Sequence, residues 1–222
     1  VDTVIAPAVS AALPREGLPV WPLVAHGLTL GDDTHQRNIG GMSAFLAALP
    51  DLPGDVRAWL TGVPQHFLNY AMAAAKLCLD QASGVAGGRI VTALSRNGVE
   101  CAIRVAGTGK NWHRAPASEP VGGFFEGFAQ ADAQPDLGDS AIVEAFGLGG
   151  CTAHTAPEIA RTMGRDWDEA RREGARMRSL FVARAPQFGP ALAGDEGLGA
   201  GLHAARAAAA GGVRIHTGIA HR

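Results

Sequence analysis

The stretch GGRIVTALSRNGVECAIRVAG, residues 87–107, organises the predicted fold. It holds two β-rich runs, 90–94 and 100–105, with Ser-Arg-Asn-Gly between them. Asn-Gly adopts positive φ at low cost, so this pattern predicts a β-hairpin. The predicted turn carries Arg96, whose planar guanidinium suits a carboxylate or a phosphate. A surface hairpin with a solvated arginine is the simpler alternative.

Apolar residues recur at helical spacing on both sides of the hairpin, most clearly over 65–82. We therefore predict an α+β fold that is helix-rich, with a small antiparallel sheet built on the central hairpin. The predicted division is a small, mainly helical subdomain over 1–62 and an α+β domain over 63–222. Further predicted elements are helices at 1–13, 21–30 and 42–49, a loop at 186–202 and a short strand at 213–216.

The composition is typical of a globular protein and excludes several other classes. With 222 residues, 47% hydrophobic and 18% charged, the chain can bury a core without disulfides. A formal net charge of −2 provides no basic field for nucleic acid, and no apolar run approaches the roughly 18 residues of a membrane span. Three widely spaced cysteines fit a reducing, cytoplasmic environment, and no motif indicates a metal or a cofactor. Because the chain begins without Met, we expect it to be part of a longer protein.

The densest group of candidate site residues is the segment GDDTHQRN, 31–38. Its glycine permits close approach of the backbone, and its side chains are of the types that bind anions or move protons. A polar loop in which an aspartate caps the next helix is the open alternative. The candidates in this segment are Asp32, Asp33, His35, Arg37 and Asn38.

Two further polar groups accompany predicted helices. His66 and Asn69 are three residues apart and therefore share one helix face, although a structural histidine is the alternative. The segment DLGDS, 136–140, precedes a predicted short helix whose free N–H groups favour an anion. Asp139 or Ser140 is expected to be the N-cap of that helix, and a purely capping Asp139 is the alternative.

The glycine-rich segment GLGG, 147–150, leads into Cys151 at the start of another predicted helix. A cysteine at a helix N-terminus can have a lowered pKa and act as a nucleophile, with His154 on the same face. A small buried apolar cysteine is the alternative. The C-terminal segment IHTGIAHR, 215–222, carries two more histidines that either line a site or cap the sheet.

Six motifs in order resemble those of the YlbE-like family of bacterial proteins. They are LGDDTHQRN, HFLNYAMAAAK, SRNGVECAIRVAG, PDLGDSAIVE, GLGG and IHTGIAHR. The resemblance runs from about residue 20 to the C-terminus and implies that this chain corresponds to the C-terminal half of a family member. It implies an α+β fold with a small helical subdomain. Where the family usually has an aromatic residue this chain has Cys151, which argues against a nucleophile there.

The resemblance also implies a function beside FdrA-like proteins in the catabolism of purine-ring nitrogen. There the family is similar to a subunit of oxamate carbamoyltransferase, which converts oxalurate and phosphate to oxamate and carbamoyl phosphate. The polar positions that match the family motifs are Asp32, His35, Arg37, Asn38, His66, Asn69, Arg96, Asn97, Asp136, Asp139 and Ser140.

Such a transfer needs two anions held side by side and a proton for the leaving amide. We expect Arg37 and Arg96 to hold the carboxylate and the phosphate, and His35, His66 or Asp139 to provide acid–base catalysis. The remaining candidates for substrate binding are Asp32, Asn38, Asn69, Asn97, Gly138 and Ser140. Two other hypotheses stay open, a non-catalytic scaffold that binds an FdrA-like partner and an amidohydrolase that uses the cysteine. We also expect the protein to form an oligomer.

Overall fold

The structure is a computed structural model that describes residues 1, 3–124, 126–185, 188 and 197–216. Over these residues helices predominate and two small antiparallel sheets form, which confirms the predicted α+β class. The helices are α1 (Ile5–Ala12), α2 (Val20–Thr29), α3 (Ile39–Ala47), α4 (Gly54–Gly62), α5 (Phe67–Asp80), α6 (Ile142–Phe146), α7 (Pro157–Thr162), α8 (Trp167–Ser179) and α9 (Ala204–Ala209). The strands are β1 (Val91–Asn97), β2 (Glu100–Val105), β3 (His113–Pro116), β4 (Leu137–Gly138), β5 (Phe181–Ala185) and β6 (Leu198–Leu202). None of the described helices is long and apolar enough to span a membrane.

The predicted hairpin forms the centre of the larger sheet, whose strand order is β3-β2-β1-β4. Strands β1 and β2 are antiparallel, with Arg96 opposite Cys101. Gly98 takes a φ of 81° in the turn, as the Asn-Gly signal predicts. Strand β1 continues through Asn97, whose Oδ1 accepts the backbone N–H groups of residues 99–100. Arg96 is therefore a strand residue, which corrects its predicted place in the turn.

One apolar core joins the helices to this sheet. The strongest predicted helix is observed as α5, and both α5 and α6 contact β1. Four successive β1 residues, 91–94, are buried as a result, as in strands that are covered on both faces. A single cluster of buried apolar residues includes members from Ile5 to Ala207. The division at residue 62 stays a prediction.

Two segments differ from the sequence-based expectation. Strand β6 lies within the predicted loop 186–202 and pairs with β5. A β-carbon at Gly199 would overlap the ring of Phe181, so this strand is glycine-rich and lacks the usual β-forming residues. Residues 213–216, predicted as a strand, belong to no strand of the described structure. The backbone N–H of His216 instead donates to a buried carboxylate of the site below.

The close packing of α3 against α5 makes one glycine a sensitive position. A β-carbon at Gly41 would overlap the buried ring of Phe67. We expect Gly41→Ala to lower the free energy of unfolding by about 1–3 kcal/mol, because the packed core must shift. Gly62→Ala is the matched control, since it is also helical and nothing lies within 4 Å of the added carbon. Denaturant unfolding measures both variants, and equal loss of stability in the two would contradict this account.

Candidate functional site

The loop between α2 and α3 is folded around two buried aspartates. Asp33 Oδ1 accepts the three successive backbone N–H groups of residues 35–37 at distances of 2.8 to 3.0 Å. Asp32 accepts the N–H groups of residues 40–41 in the first turn of α3, at 3.1 and 2.8 Å. Thr34 has a φ of 61°, which is an outlier for a β-branched residue and a kind of strain that clusters at functional sites. The capping aspartate expected here is Asp32.

His35 is the centre of a hydrogen-bonded chain of three side chains. Its Nδ1 lies 2.7 Å from Oε1 of Glu144, and its Nε2 lies 2.7 Å from Oγ of Ser140. Burial by itself lowers the pKa of His35, but the charge and hydrogen bond of Glu144 outweigh it, so the pKa is raised above its ordinary value. Because Glu144 accepts the proton of Nδ1, Nε2 of the neutral ring is the acceptor that faces the hydroxyl.

Backbone donors hold Glu144 in place. Its Oε1 also accepts the N–H groups of Gly150 and His216, at 3.0 and 3.1 Å. Gly149 has a φ of 56°, and a β-carbon there would overlap the same oxygen. The close approach of the backbone to this buried carboxylate therefore requires a glycine at position 149 of the GLGG segment. Oε2 of Glu144 has no hydrogen-bond partner among the described residues.

A second buried pair is joined to the first. Nδ1 of His216 lies 2.6 Å from Oδ2 of Asp33. Burial raises the pKa of Asp33, but the hydrogen bond and charge of His216 and the backbone N–H groups outweigh it, so the pKa is lowered. His216 therefore links the loop of Asp33 to Glu144. The remainder of the IHTGIAHR motif, 217–222, lies outside the described residues. In the described ranges, no group of three or more His, Cys, Asp or Glu is placed to hold a metal ion.

A cavity of about 750 Å³ adjoins this network. Gln36 lines it and is the next residue after His35, and its side chain donates to the carbonyl of His216 at 3.0 Å. Residues 211–215 line the cavity and lead directly into His216. The network and the cavity therefore share two backbone segments.

Three arginines of the 165–214 region lie on the cavity wall, and two of them bind the same carboxylate. Glu173 binds Arg176 at 2.9 Å and Arg214 at 3.4 Å. Arg165 also lines the cavity and makes no ion pair with any residue in the described part of the chain. Burial, and then the charge of Arg214, lowers the pKa of Arg165. Among the described residues, four arginines and two acidic residues line the cavity, so its wall keeps an excess of positive charge that favours an anion.

Arg96 is engaged by the protein itself. Its Nε and Nη2 bind both carboxylate oxygens of Asp136 at 2.7 and 3.1 Å, and its Nη1 donates to the carbonyl of Gly138 at 2.8 Å. The residue is 4% exposed and lines the cavity beside Asp136. Arg96 thus ties β1 to the DLGDS segment. Arg96 is therefore not a solvated surface arginine. Several of its N–H donors bind groups of the protein and are not available to a ligand.

Two other predicted residues of the first motif lie beside His35. Arg37 is 3.7 Å from Asp32. The side-chain amide of Asn38 donates to the carbonyl of His35 and to the side chain of Gln65 at 3.3 and 3.1 Å. Oδ1 of Asn38 is buried and has no hydrogen-bond partner among the described residues. The GDDTHQRN motif therefore builds one compact polar unit.

The remaining predicted residues make other contacts. His66 lies edge-on to the rings of Trp59 and Tyr70, and Asn69 donates to the carbonyl of His66. Burial lowers the pKa of His66. Asn97 binds its own hairpin turn. The exposed Asp139 makes no side-chain cap, and neither does Ser140, so the predicted N-cap of α6 is wrong.

Cys151 is fully buried, and its Sγ donates to the carbonyl of Glu144 at 3.7 Å. Burial, and then the charge of Glu144, raises the pKa of this thiol well above its ordinary value. A nucleophilic cysteine needs the opposite shift. The environment of Cys151 is that of a small core residue.

Sequence reasoning missed Glu144, and it missed the arginines of the cavity wall. One signal for Glu144 was available, because it is the charged residue in the otherwise apolar run AIVEAF. A charge at the centre of a buried short helix requires a partner. For Arg165 and Arg214 the sequence carries no comparable signal.

Comparisons with known proteins place the chain in a family. Residues 1–140 match the family model described as oxamate carbamoyltransferase subunit AllG. The chain is 38% identical to oxamate carbamoyltransferase subunit AllG of Escherichia coli (strain K12), over 99% of this chain and 56% of that protein. It is 32% identical to the uncharacterized protein YahG of the same strain, over 90% of this chain and 45% of that protein.

A solved structure shares the fold. The crystal structure of a conserved protein of unknown function from Enterococcus faecalis V583 matches with a TM-score of 0.79 and 31% identity. The match covers 93% of this chain and 52% of that one. The chain thus spans about half the length of the relatives it matches.

Proposed function

The chain belongs to the oxamate carbamoyltransferase subunit AllG family, and we propose that it takes part in carbamoyl transfer between phosphate and the amide nitrogen of a small acid. The observation that supports this proposal is the Ser140–His35–Glu144 chain beside a cavity lined by arginines. The reacting acid is oxamate, and its carbamoylated form is oxalurate. Both are small anions that suit a positively charged wall.

His35 is the acid–base group of this reaction. When oxalurate reacts with phosphate, the leaving amide needs a proton, and in the reverse direction the attacking amide must lose one. Glu144 raises the pKa of His35 above its ordinary value, and an imidazole that can both accept and donate a proton suits general acid–base catalysis. His35 replaces the earlier choice among three candidates, because His66 and Asp139 do not contact this network.

The arginine wall binds the anions. Arg165 and Arg214 face the cavity, and Arg96 lines it while bound to Asp136. Arginine offers a fork of N–H donors that matches the oxygens of a carboxylate or a phosphate. The roles first assigned to Arg37 and Arg96 therefore pass mainly to Arg165 and Arg214.

As a subunit, the chain acts in a complex. The proposed partner in that complex is an FdrA-like protein. The proposed reaction takes place in the cytoplasm and belongs to the catabolism of purine and allantoin nitrogen. The name of the relative, a carbamoyltransferase subunit, supports an assembly of several chains. We also propose that the reaction uses no resident metal or cofactor.

The test is Arg165→Gln in the full-length protein assembled with its partner subunits. We expect KM for phosphate or carbamoyl phosphate to rise about tenfold or more, because a charged donor to the anion is lost. Arg172→Gln, an exposed arginine of α8, is the control and should leave KM unchanged. Equal KM values in both variants would place the anion elsewhere, and a wild-type complex without carbamoyl transfer would refute the proposed function.

A further inference from the structure

Ser140 lies in the sharp turn between a strand and a helix. Strand β4 ends at Gly138, whose φ is 124°, and α6 begins at Ile142. The Nη1 of Arg96 holds the carbonyl of Gly138, so the turn is fixed on the strand side. A strand-to-helix turn of this kind presents a nucleophilic side chain in other enzymes.

The hydroxyl of Ser140 has the partners that activate a nucleophile. His35 Nε2 is 2.7 Å from Oγ, and Glu144 binds the opposite ring nitrogen at 2.7 Å. This is the nucleophile, base and orienting acid arrangement that converts a hydroxyl into an attacking group. Of the three side chains, Ser140 is the half-buried one, while His35 and Glu144 are 3% and 0% exposed. The solvent-facing end of the chain is therefore the hydroxyl.

We infer that Ser140 carries the carbamoyl group as a carbamate ester on its way from the acid to phosphate. This inference rests on the proposed carbamoyl transfer. The Oγ of Ser140 attacks the terminal ureido carbon of the carbamoylated acid, and its proton passes to Nε2 of His35. The bond between that carbon and the amide nitrogen breaks, and the imidazolium of His35 returns the proton to the leaving amide.

The second half of the reaction regenerates the serine. An oxygen of hydrogen phosphate attacks the carbonyl carbon of the ester, and the bond between that carbon and Oγ breaks. The proton of the hydrogen phosphate reaches Oγ through His35, so carbamoyl phosphate leaves and the hydroxyl is restored. No oxidant, reductant or further reactant is required.

This mechanism separates the reaction into halves that can be measured apart. A carbamoyl-enzyme lets labelled phosphate exchange into carbamoyl phosphate when no acceptor acid is present. Direct transfer between bound substrates permits no such exchange. The peptide that contains Ser140 should also gain the mass of one carbamoyl group after acid quench, and this mass should be removed by hydroxylamine.

The experiment uses the full-length complex with labelled phosphate and carbamoyl phosphate, and cyanate alone as a control for non-specific carbamoylation of amines. Ser95→Ala is the matched variant, because the Oγ of Ser95 donates to the carbonyl of Gly138 at 3.5 Å without a histidine partner. We expect exchange and the modified peptide in wild type and Ser95→Ala, and loss of both in Ser140→Ala. If Ser140→Ala does not fold, Ser140→Cys is used, and its adduct should move to sulfur.

Each outcome decides one of the two proposals. Net carbamoyl transfer without exchange and without an adduct would overturn the covalent step and leave the proposed function intact. Exchange and an adduct at Ser140 without net transfer to an acid would support the nucleophile and refute the proposed acceptor. Full exchange in Ser140→Ala would show that another group carries the carbamoyl.

Discussion

The variant His35→Gln is expected to transfer carbamoyl groups about 10²–10⁴-fold more slowly than the wild type. A glutamine amide can still donate to Glu144, so the buried carboxylate keeps a partner. It cannot accept the proton of Ser140 or return it to a leaving amide. His26→Gln is the control, because His26 is exposed at the end of α2. Measurement of kcat and KM on the assembled complex should show the loss in kcat.

The pH dependence of the wild type follows from the direction of the same pKa. The neutral, basic form of His35 appears as the pH rises through a pKa that lies above its ordinary value of about 6.5. The rate should therefore rise with pH, in a range that lies above the ordinary pKa of histidine. In Glu144→Gln the main cause of the raised pKa is removed, so this limb of the profile should move to lower pH. A His35→Gln complex with wild-type kcat, or a limb that does not move, would contradict the role of His35.

The variant Asp33→Ala is expected to lower the free energy of unfolding by about 3–5 kcal/mol, because it breaks a buried pair and leaves polar groups unpaired. Asp33 accepts the N–H groups of residues 35–37 and binds His216 across the fold. Asp80→Ala is the control, since Asp80 forms an exposed pair with Lys76 on α5. That change should cost less than about 1 kcal/mol.

The sign of the pH effect gives a second check on Asp33. A carboxyl whose pKa is lowered on folding contributes its stability above the unfolded pKa of about 3.9 and loses it as the pH falls through the folded pKa. The difference in stability between wild type and Asp33→Ala should therefore be full at pH 6 and shrink below about pH 4. A constant difference over this range, from denaturant unfolding at each pH, would show that ionisation of Asp33 is not the cause.

Local patterns were sufficient for the elements of secondary structure that form the frame. The Asn-Gly turn with its flanking β-rich runs predicted β1 and β2, and the Ala-rich spacing predicted α5, because both signals act between near neighbours. Where packing overrode local preference, prediction failed. Strand β6 is glycine-rich because Gly199 lies against Phe181, and no local signal shows that contact.

The site divides in the same way. The sequence by itself determined a polar unit at 31–38 and a second group at 136–140, since residue types and glycine spacing are visible in the chain. It did not show which members meet. The sequence linked Arg96 to anion chemistry, and the anion that Arg96 binds in the structure is Asp136 of the same chain. His66 has the right chemistry but lies between two aromatic rings.

Only the tertiary structure decided the central contacts. His35 and Glu144 are 109 residues apart in the chain, and Asp33 and His216 are 183 apart, yet their side chains are within 2.7 Å. Burial strengthens these contacts because the interior screens charge weakly, and the charge and hydrogen bond of Glu144 raise the pKa of His35. Burial depends on the packing of elements that are distant in sequence. The sequence therefore determines which chemical groups are available, and the fold decides which of them come into contact.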